Sequence, residues 1–193
     1  PLAFPVVNEG YKTASIGRFR KIPGVPIAYW VSDDLANIFL TKKPLSYYGQ
    51  PKQGLATGDN NRFLRYWFET AYTKIGFHFN DRQTAAESGK KWFPCNKGGE
   101  YHKWYGNNDY VVNWENDGFE IRNFKDDKGK LRSRPQNMDR YFGEGLTWST
   151  LSSANLSMRY SPKGNLFETK GSVCFFTERA TMYYALGVLN SVI

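Results

Sequence analysis

The chain has 193 residues, 26 Lys and Arg against 18 Asp and Glu, a formal net charge of +8, 40% apolar residues and 17% aromatics. That length suits one domain or slightly more, and a chain this aromatic buries a core of Phe, Tyr and Trp instead of staying disordered. No apolar run nears the ~18 residues of a membrane-spanning helix, Pro5, Asn8 and Glu9 break any signal-peptide core, and two cysteines cannot build a disulfide framework; a reduced, cytoplasmic protein with no membrane partner is expected.

Position 1 is Pro, not Met, which reads as a piece cut from a longer chain. Residues 1–21 form a leading segment that ends in Arg18, Arg20 and Lys21. Pro23, Gly24 and Pro26 then make a rigid turn or linker, and the main domain is expected over 22–193. Across 27–40, Ile27, Trp30, Val31, Leu35, Ile38 and Phe39 share one helical face, while Ser32 before Asp33 and Asp34 offers a cap for a helix starting there instead. From Pro44 onward, short aromatic-rich runs alternate with turn residues, giving strand candidates at 45–48, 55–57, 63–68, 74–79, 92–93, 110–114 and 119–124. Asp127 to Gly129 reads as a tight turn, and 137–142 as a short helix capped by Asn137. Further strands are expected at 146–150, 156–160 and 173–176, with a closing helix over 179–190. The sum is an α+β domain: a twisted, largely antiparallel sheet with flanking helices.

The motifs of common catalytic sites are missing. There are two histidines, His78 and His102, with no H-E-x-x-H and no paired-cysteine spacing for zinc. There is no G-x-G-x-x-G, Walker or G-x-S-x-G sequence. No two prolines are adjacent, which removes the Asn/Asp/Ser-Pro-Pro-aromatic tetrapeptide of amino-methylating DNA enzymes, and no Pro precedes an Asp as in P-D…E-x-K nucleases. No catalytic, cofactor-binding or metal-ligating residue is therefore assigned.

The positive charge makes a polyanion partner plausible, nucleic acid being the commonest, but it is spread along the chain, so a binding patch must be assembled by folding. Four segments carry the relevant chemistry. The first, 53–63, follows Lys52 and holds Gln53, Thr57, Asp59, Asn60, Asn61 and Arg62 around Gly54 and Gly58. Glycines admit close backbone approach, and Asn and Arg pair bidentately with adenine and guanine edges; the alternative is a β-turn satisfying its own backbone. The second, 90–108, interleaves lysines such as Lys97 and Lys103 with Trp104 and Tyr105 around Gly98 and Gly99, either as phosphate and stacking contacts or as a rimmed core. The third is the basic stretch with Arg122, Lys128, Lys130, Arg132 and Arg134; its alternate positions 128–134 line one face of a groove-facing arm or of a solvated hairpin. The fourth, Thr147, Trp148 and Ser149, places hydroxyls and an indole at a strand end.

Together, segments 53–63, 91–107 and 144–149, with 21–30 and 186–191, resemble the target-recognition region of adenine-specific DNA methyltransferases of the BREX (phage growth limitation) type, related to TaqI-like specificity domains of restriction–modification enzymes. The resemblance covers about residues 18–193, in order and spacing. It implies that a catalytic half, absent from this chain, flips adenine and methylates N6 with S-adenosylmethionine, while this region holds duplex DNA across the major groove. It implies that 53–62 lies near the DNA, with 147–149 as a second contact strand and 97–103 as a third. The implied partners are double-stranded DNA, the methyltransferase half of the same polypeptide and other phage-defence proteins, with no cofactor in this chain. Two rivals stand beside it. Six Trp and thirteen Tyr also suit a carbohydrate-binding module. Exposed aromatic patches suit a protein-interaction domain of a phage-defence complex.

Overall fold

The computed structural model describes residues 13–191; the first twelve residues of the leading segment lie outside the described residues. The chain divides into two compact units, Pro1–Tyr47 and Tyr48–Ile193.

In the first unit, α1 (Ile16–Phe19) is followed by α2 (Asp33–Thr41). Of the two starts open from sequence, the helix takes the later one. Ser32 Oγ accepts from the Leu35 N–H at 3.2 Å, and Asp33 and Asp34 occupy the first turn, where carboxylates meet the positive end of the helix. Residues 27–31 cannot join it, because that cap fixes Ser32 in an extended conformation. Arg18 pairs with Asp33 at 3.2 Å, and Lys21 donates to Asn37 at 3.0 Å. Leu45–Tyr48, expected as a strand, is a helical turn, α3, begun by the Tyr47 N–H bonding back to the Pro44 carbonyl.

The second unit continues with β1 (Gly49–Lys52), α4 (Asn60–Phe63), β2 (Leu64–Tyr66), α5 (Arg82–Glu87), β3 (Trp92–Asn96), β4 (Tyr110–Asn113), α6 (Glu115–Arg122), β5 (Gly145–Trp148), β6 (Met158–Ser161), β7 (Leu166–Phe167), β8 (Val173–Phe176) and α7 (Arg179–Asn190). The α+β class is the one expected. Its strands divide between two four-stranded sheets, ordered β1-β8-β5-β6 and β2-β4-β3-β7. Every pairing is antiparallel except β3 with β7, where Cys95 lies opposite Leu166.

The main core gathers Leu55, Phe63, Phe93, Trp114, Ile121, Phe142 and Phe167, all essentially solvent-free. Its rings meet edge-on, as in Phe93–Phe142 at 5.6 Å and Tyr141–Phe167 at 5.4 Å, which adds to the burial of apolar surface. A smaller cluster sets Met182 and Ala185 of α7 against Leu146 and Met158 of the first sheet.

Three further expected elements differ. Residues 119–124 are not a strand: Asn116, Asp117 and Gly118 make a left-handed turn, after which the Asn123 N–H bonds to the Phe119 carbonyl. Gly118 is required there, since a Cβ would lie 2.6 Å from the buried Trp114 ring. Asp117 is clamped by Arg82 and, at 2.8 Å, by Arg122. Residues 74–79 give a 3-10 turn at Tyr72–Lys74 and one bridge, Ile75 to Trp92. At 137–142 only the 3-10 turn Met138–Arg140 forms; Asn137 is left-handed and sends its amide to the Gln53 carbonyl instead of capping. The turn at 127–129 does close a hairpin, bridging Lys125 to Leu131. Among the described residues, no helix is long and apolar enough to cross a membrane, and no cluster of three or more metal-ligating residues occurs.

Candidate nucleic-acid interface

The 53–63 loop is held on both sides by backbone. Leu55 bridges to Glu168, just beyond β7, and Ala56 bridges to Arg134 with N···O distances of 3.0 and 2.8 Å. The chains approach so closely that a Cβ on Gly54 would lie 1.8 Å from the Phe167 carbonyl oxygen, and one on Gly58 would lie 2.7 Å from that of Arg132. The loop thus joins the basic arm to the end of β7. Gly98 packs in the same way against the Lys170 carbonyl, and Ser149 Oγ donates to the Gly99 carbonyl at 2.9 Å, which ties 97–105 to the end of β5.

Part of the loop satisfies itself. Asp59 caps α4 by accepting from the Arg62 N–H at 3.2 Å, and the buried Thr57 hydroxyl bonds Asn60 Oδ1 at 2.5 Å. Neither polar atom of the Asn61 amide is engaged, and Asn60 Nδ2 is also free. Thr57, Gly58, Asp59, Asn60 and Asn61 line a cavity of about 350 Å³ that also reaches Glu168. A second, also about 350 Å³, adjoins it at Asn60 and Asn61 and adds Arg65, Tyr66, Lys97 and Tyr110. A third, about 370 Å³, adjoins the second at Tyr110 and is walled by Trp67, Tyr72, Phe77 and Tyr105. These shared residues set the three cavities side by side along one grooved surface, with Glu168 in the first and Lys163 in the third.

Glu168 is the residue that the sequence does not reveal. It is 4% exposed, and its Oε2 has no partner. Burial pushes its carboxyl pKa up, against the opposing pull of Lys97 and Lys170. It is an unspent acceptor on a residue that lines the first cavity. Lys97 lies over the Tyr110 ring, 4.2 Å from its centre, with its charge otherwise unpaired.

The remaining candidates divide by what already holds them. Arg62 places Nε and Nη2 on Glu120 at 2.9 and 2.7 Å, and Arg122 is bound to Asp117. Lys103 donates to the Asn190 carbonyl at 2.6 Å, closing the end of α7. Gln53 accepts from Asn137 through its carbonyl, and Arg132 donates to the Gly58 carbonyl at 3.3 Å. Thr147 is buried with its hydroxyl on the Gly171 carbonyl, and Trp148 is half-buried against the smaller core cluster. Ser149 accepts from Arg159, a buried guanidinium whose pKa burial lowers. Lys52 and Arg134 have no side-chain partner, and Trp104 and Tyr105 are exposed. The groove therefore brings together Thr57, Asp59, Asn60, Asn61, Lys97 and Tyr105, with Arg134 on the arm beside the loop, and does not gather the others.

No family model matches the chain. It is similar to segments of two adenine-specific methyltransferases. One is the adenine-specific methyltransferase PglX of Lacticaseibacillus casei (strain Zhang), 41% identical over 189 residues, which are 97% of this chain and 16% of that protein. The other is the adenine-specific methyltransferase BrxX of Escherichia coli O9:H4 (strain HS), 40% identical over 184 residues, 94% of this chain and 14% of that protein. The chain thus spans a small part of the length of the curated relatives it matches.

Chemically, the groove offers amide donors and acceptors, one buried carboxylate, cations at its edge and aromatic walls. Amides and carboxylates discriminate base edges, cations take phosphates without reading sequence, and aromatic faces stack bases. Glu168, Tyr66, Trp67 and Tyr110 carry no local sequence signal of a binding role: Glu168 simply follows Leu166 and Phe167, and the three rings lie in expected strand segments.

Proposed function

We propose that this chain is the DNA sequence-recognition part of an S-adenosylmethionine-dependent, adenine-N6-specific DNA methyltransferase of a BREX-type phage-defence system. The methyl transfer belongs to a methyltransferase half elsewhere in the longer protein. That half and other defence proteins are its partners, and the cytoplasm is its place of action. The observation that carries the reading is the first cavity, where the free Asn61 amide and the unpartnered Glu168 carboxylate lie together. An amide with both ends free pairs bidentately with adenine N6 and N7, and a carboxylate accepts from the amino group of cytosine. Lys97 and Arg134 take the phosphates that set the register. The similarity of nearly the whole chain to segments of two proteins named as adenine-specific methyltransferases supports the same reading.

The test is selection from a randomised duplex pool, with affinity measured by fluorescence anisotropy at two salt concentrations. The expected result is an enriched sequence, with log K falling at a slope near −0.9 per phosphate for ~3–5 phosphates. Salt-insensitive binding, or salt-sensitive binding with no enriched sequence, overturns the reading.

A further inference from the structure

The aromatic cavity at the far end of the groove has a chemistry of its own. Trp67, Tyr72, Phe77, Tyr105 and Tyr110 wall about 370 Å³. Four of the five walls are held by contacts of their own. Tyr72 and Phe77 pack 5.4 Å apart, the Trp67 N–H is bonded to the Asp109 carbonyl at 2.9 Å, and the Tyr110 hydroxyl bonds that of Tyr66 at 3.0 Å. On the opposite lip, Gly164 abuts the left-handed His78, so closely that a Cβ would lie 3.0 Å from the His78 nitrogen. That contact sets Phe77 and Lys163 around one opening.

The polar lining is sparse and specific. Asn108 and Asn165 supply amide groups, and the Asn165 side-chain Oδ1 is uncommitted while its Nδ2 donates to Asn96 Oδ1 at 3.4 Å. Lys163 lies at the edge without an ion pair, no Asp or Glu lines the cavity, and Lys97 stands over the Tyr110 face shared with the neighbouring cavity. Apolar walls with a few convergent polar groups are the usual form of a small-ligand site.

We propose that this cavity holds a single unpaired nucleobase of the bound nucleic acid, stacked on the aromatic walls, hydrogen-bonded at its edge by Asn108 and Asn165, with its backbone phosphates at Lys163 and Lys97. The proposal deepens the DNA-recognition reading and rests on it for the identity of the polymer. An aliphatic or phenyl anchor from a protein partner fits less well, because it leaves both amides unmatched and uses neither lysine. A paired base cannot present its flat faces to the walls, so the occupant must be out of the stack. Extrusion costs least where a base already lacks a partner.

The experiment compares the 193-residue chain on three ligands by anisotropy: a fully paired duplex, the same duplex with one bulged base, and a short single strand. Binding to the bulged duplex is expected to exceed binding to the paired one by about 5- to 140-fold, the usual value of one stacked base. Tyr72→Ala and Tyr105→Ala should remove that gain; these side chains are 70% and 60% exposed, so their loss leaves the core intact. Tyr184→Ala, an exposed ring on α7 outside the cavity, should keep it. A paired duplex that binds with no gain from the bulge, or a gain that survives both tyrosine substitutions, overturns the cavity and leaves duplex reading in place. Tyrosine-dependent binding of the bulge or single strand without paired-duplex binding keeps the cavity and removes duplex reading. No binding to any of the three overturns both.

Discussion

Glu168→Gln is expected to make the protein more stable and less selective at the same time. The carboxyl is 4% exposed with Oε2 unpartnered; an unsatisfied buried polar atom costs about 1–3 kcal/mol and more when charged, and since Gln leaves a polar atom in the same place, only the added cost of the charge is relieved. Lys97 and Lys170 offset part of that cost, so the gain on neutralisation should be about 1–2 kcal/mol. For a chain of this size 1 kcal/mol moves Tm by about 2–4 °C, so the variant should melt about 2–8 °C higher near neutral pH. The sign with pH follows from the raised pKa. Between the ordinary value of 4.5 and the higher folded value, the native state binds more protons than the unfolded one, so wild-type stability falls as pH rises through that window. The two proteins should therefore converge on acidification towards 4.5 and diverge above it. Calorimetry across that range measures the difference, and duplex selection on the same variant should lose about 1–3 kcal/mol of discrimination at one base pair. A variant that melts lower at neutral pH and keeps its preference would refute the reasoning, because the acid would then be a structural partner and not an unspent acceptor.

Four further outcomes are expected. Asn61→Ala should relax preference at one position by about 1–3 kcal/mol with Tm unchanged, since its amide has no partner to lose; selection and melting read the two effects separately. Arg134→Ala should weaken binding to all sequences alike and reduce the salt slope by about 0.9, measured by anisotropy over a salt series. Gly54→Ala puts a Cβ 1.8 Å from the Phe167 carbonyl oxygen and should cost about 3 kcal/mol or more in urea unfolding, since backbone rather than a flexible side chain must move. Cys95 and Cys174 are both buried, with pKa values pushed up by burial, that of Cys174 to about 11, so neither should react with a thiol reagent in the folded state and both should on unfolding.

Arg62 illustrates how reading residue types in order can mislead. An Arg closing a polar, glycine-bracketed loop is a natural guanine reader, yet this one spends two donors on Glu120, 58 residues away. Lys103 and Ser149 are likewise engaged by the Asn190 and Gly99 carbonyls. Residue type signals capacity, and the partner that uses it comes from elsewhere in the chain. Phe119, Ile121 and Phe124 mislead at the level of the element. Phe119 and Ile121 stand two apart as in a strand, though Phe124 already breaks that spacing, and Gly118 and the Asp117 clamp impose a left-handed turn that local periodicity does not encode.

By itself the sequence determined the α+β class, the closing helix at Arg179–Asn190, the Ser32 cap as one of two starts, the tight turn at 127–129, and the first loop as a place where polar chemistry concentrates. These depend on local physics: helical or alternating periodicity, a hydroxyl that can reach an amide three residues on, and glycine or Asp at a turn. The tertiary structure alone decided that the strands split into two sheets, that Leu55 and Ala56 are clasped by Glu168 and Arg134, and that the groove runs from a buried carboxylate to an aromatic cavity. Glu168 lies 107 positions beyond Asn61, and burial, which makes its free oxygen costly and therefore informative, exists only once β7 has brought the two together.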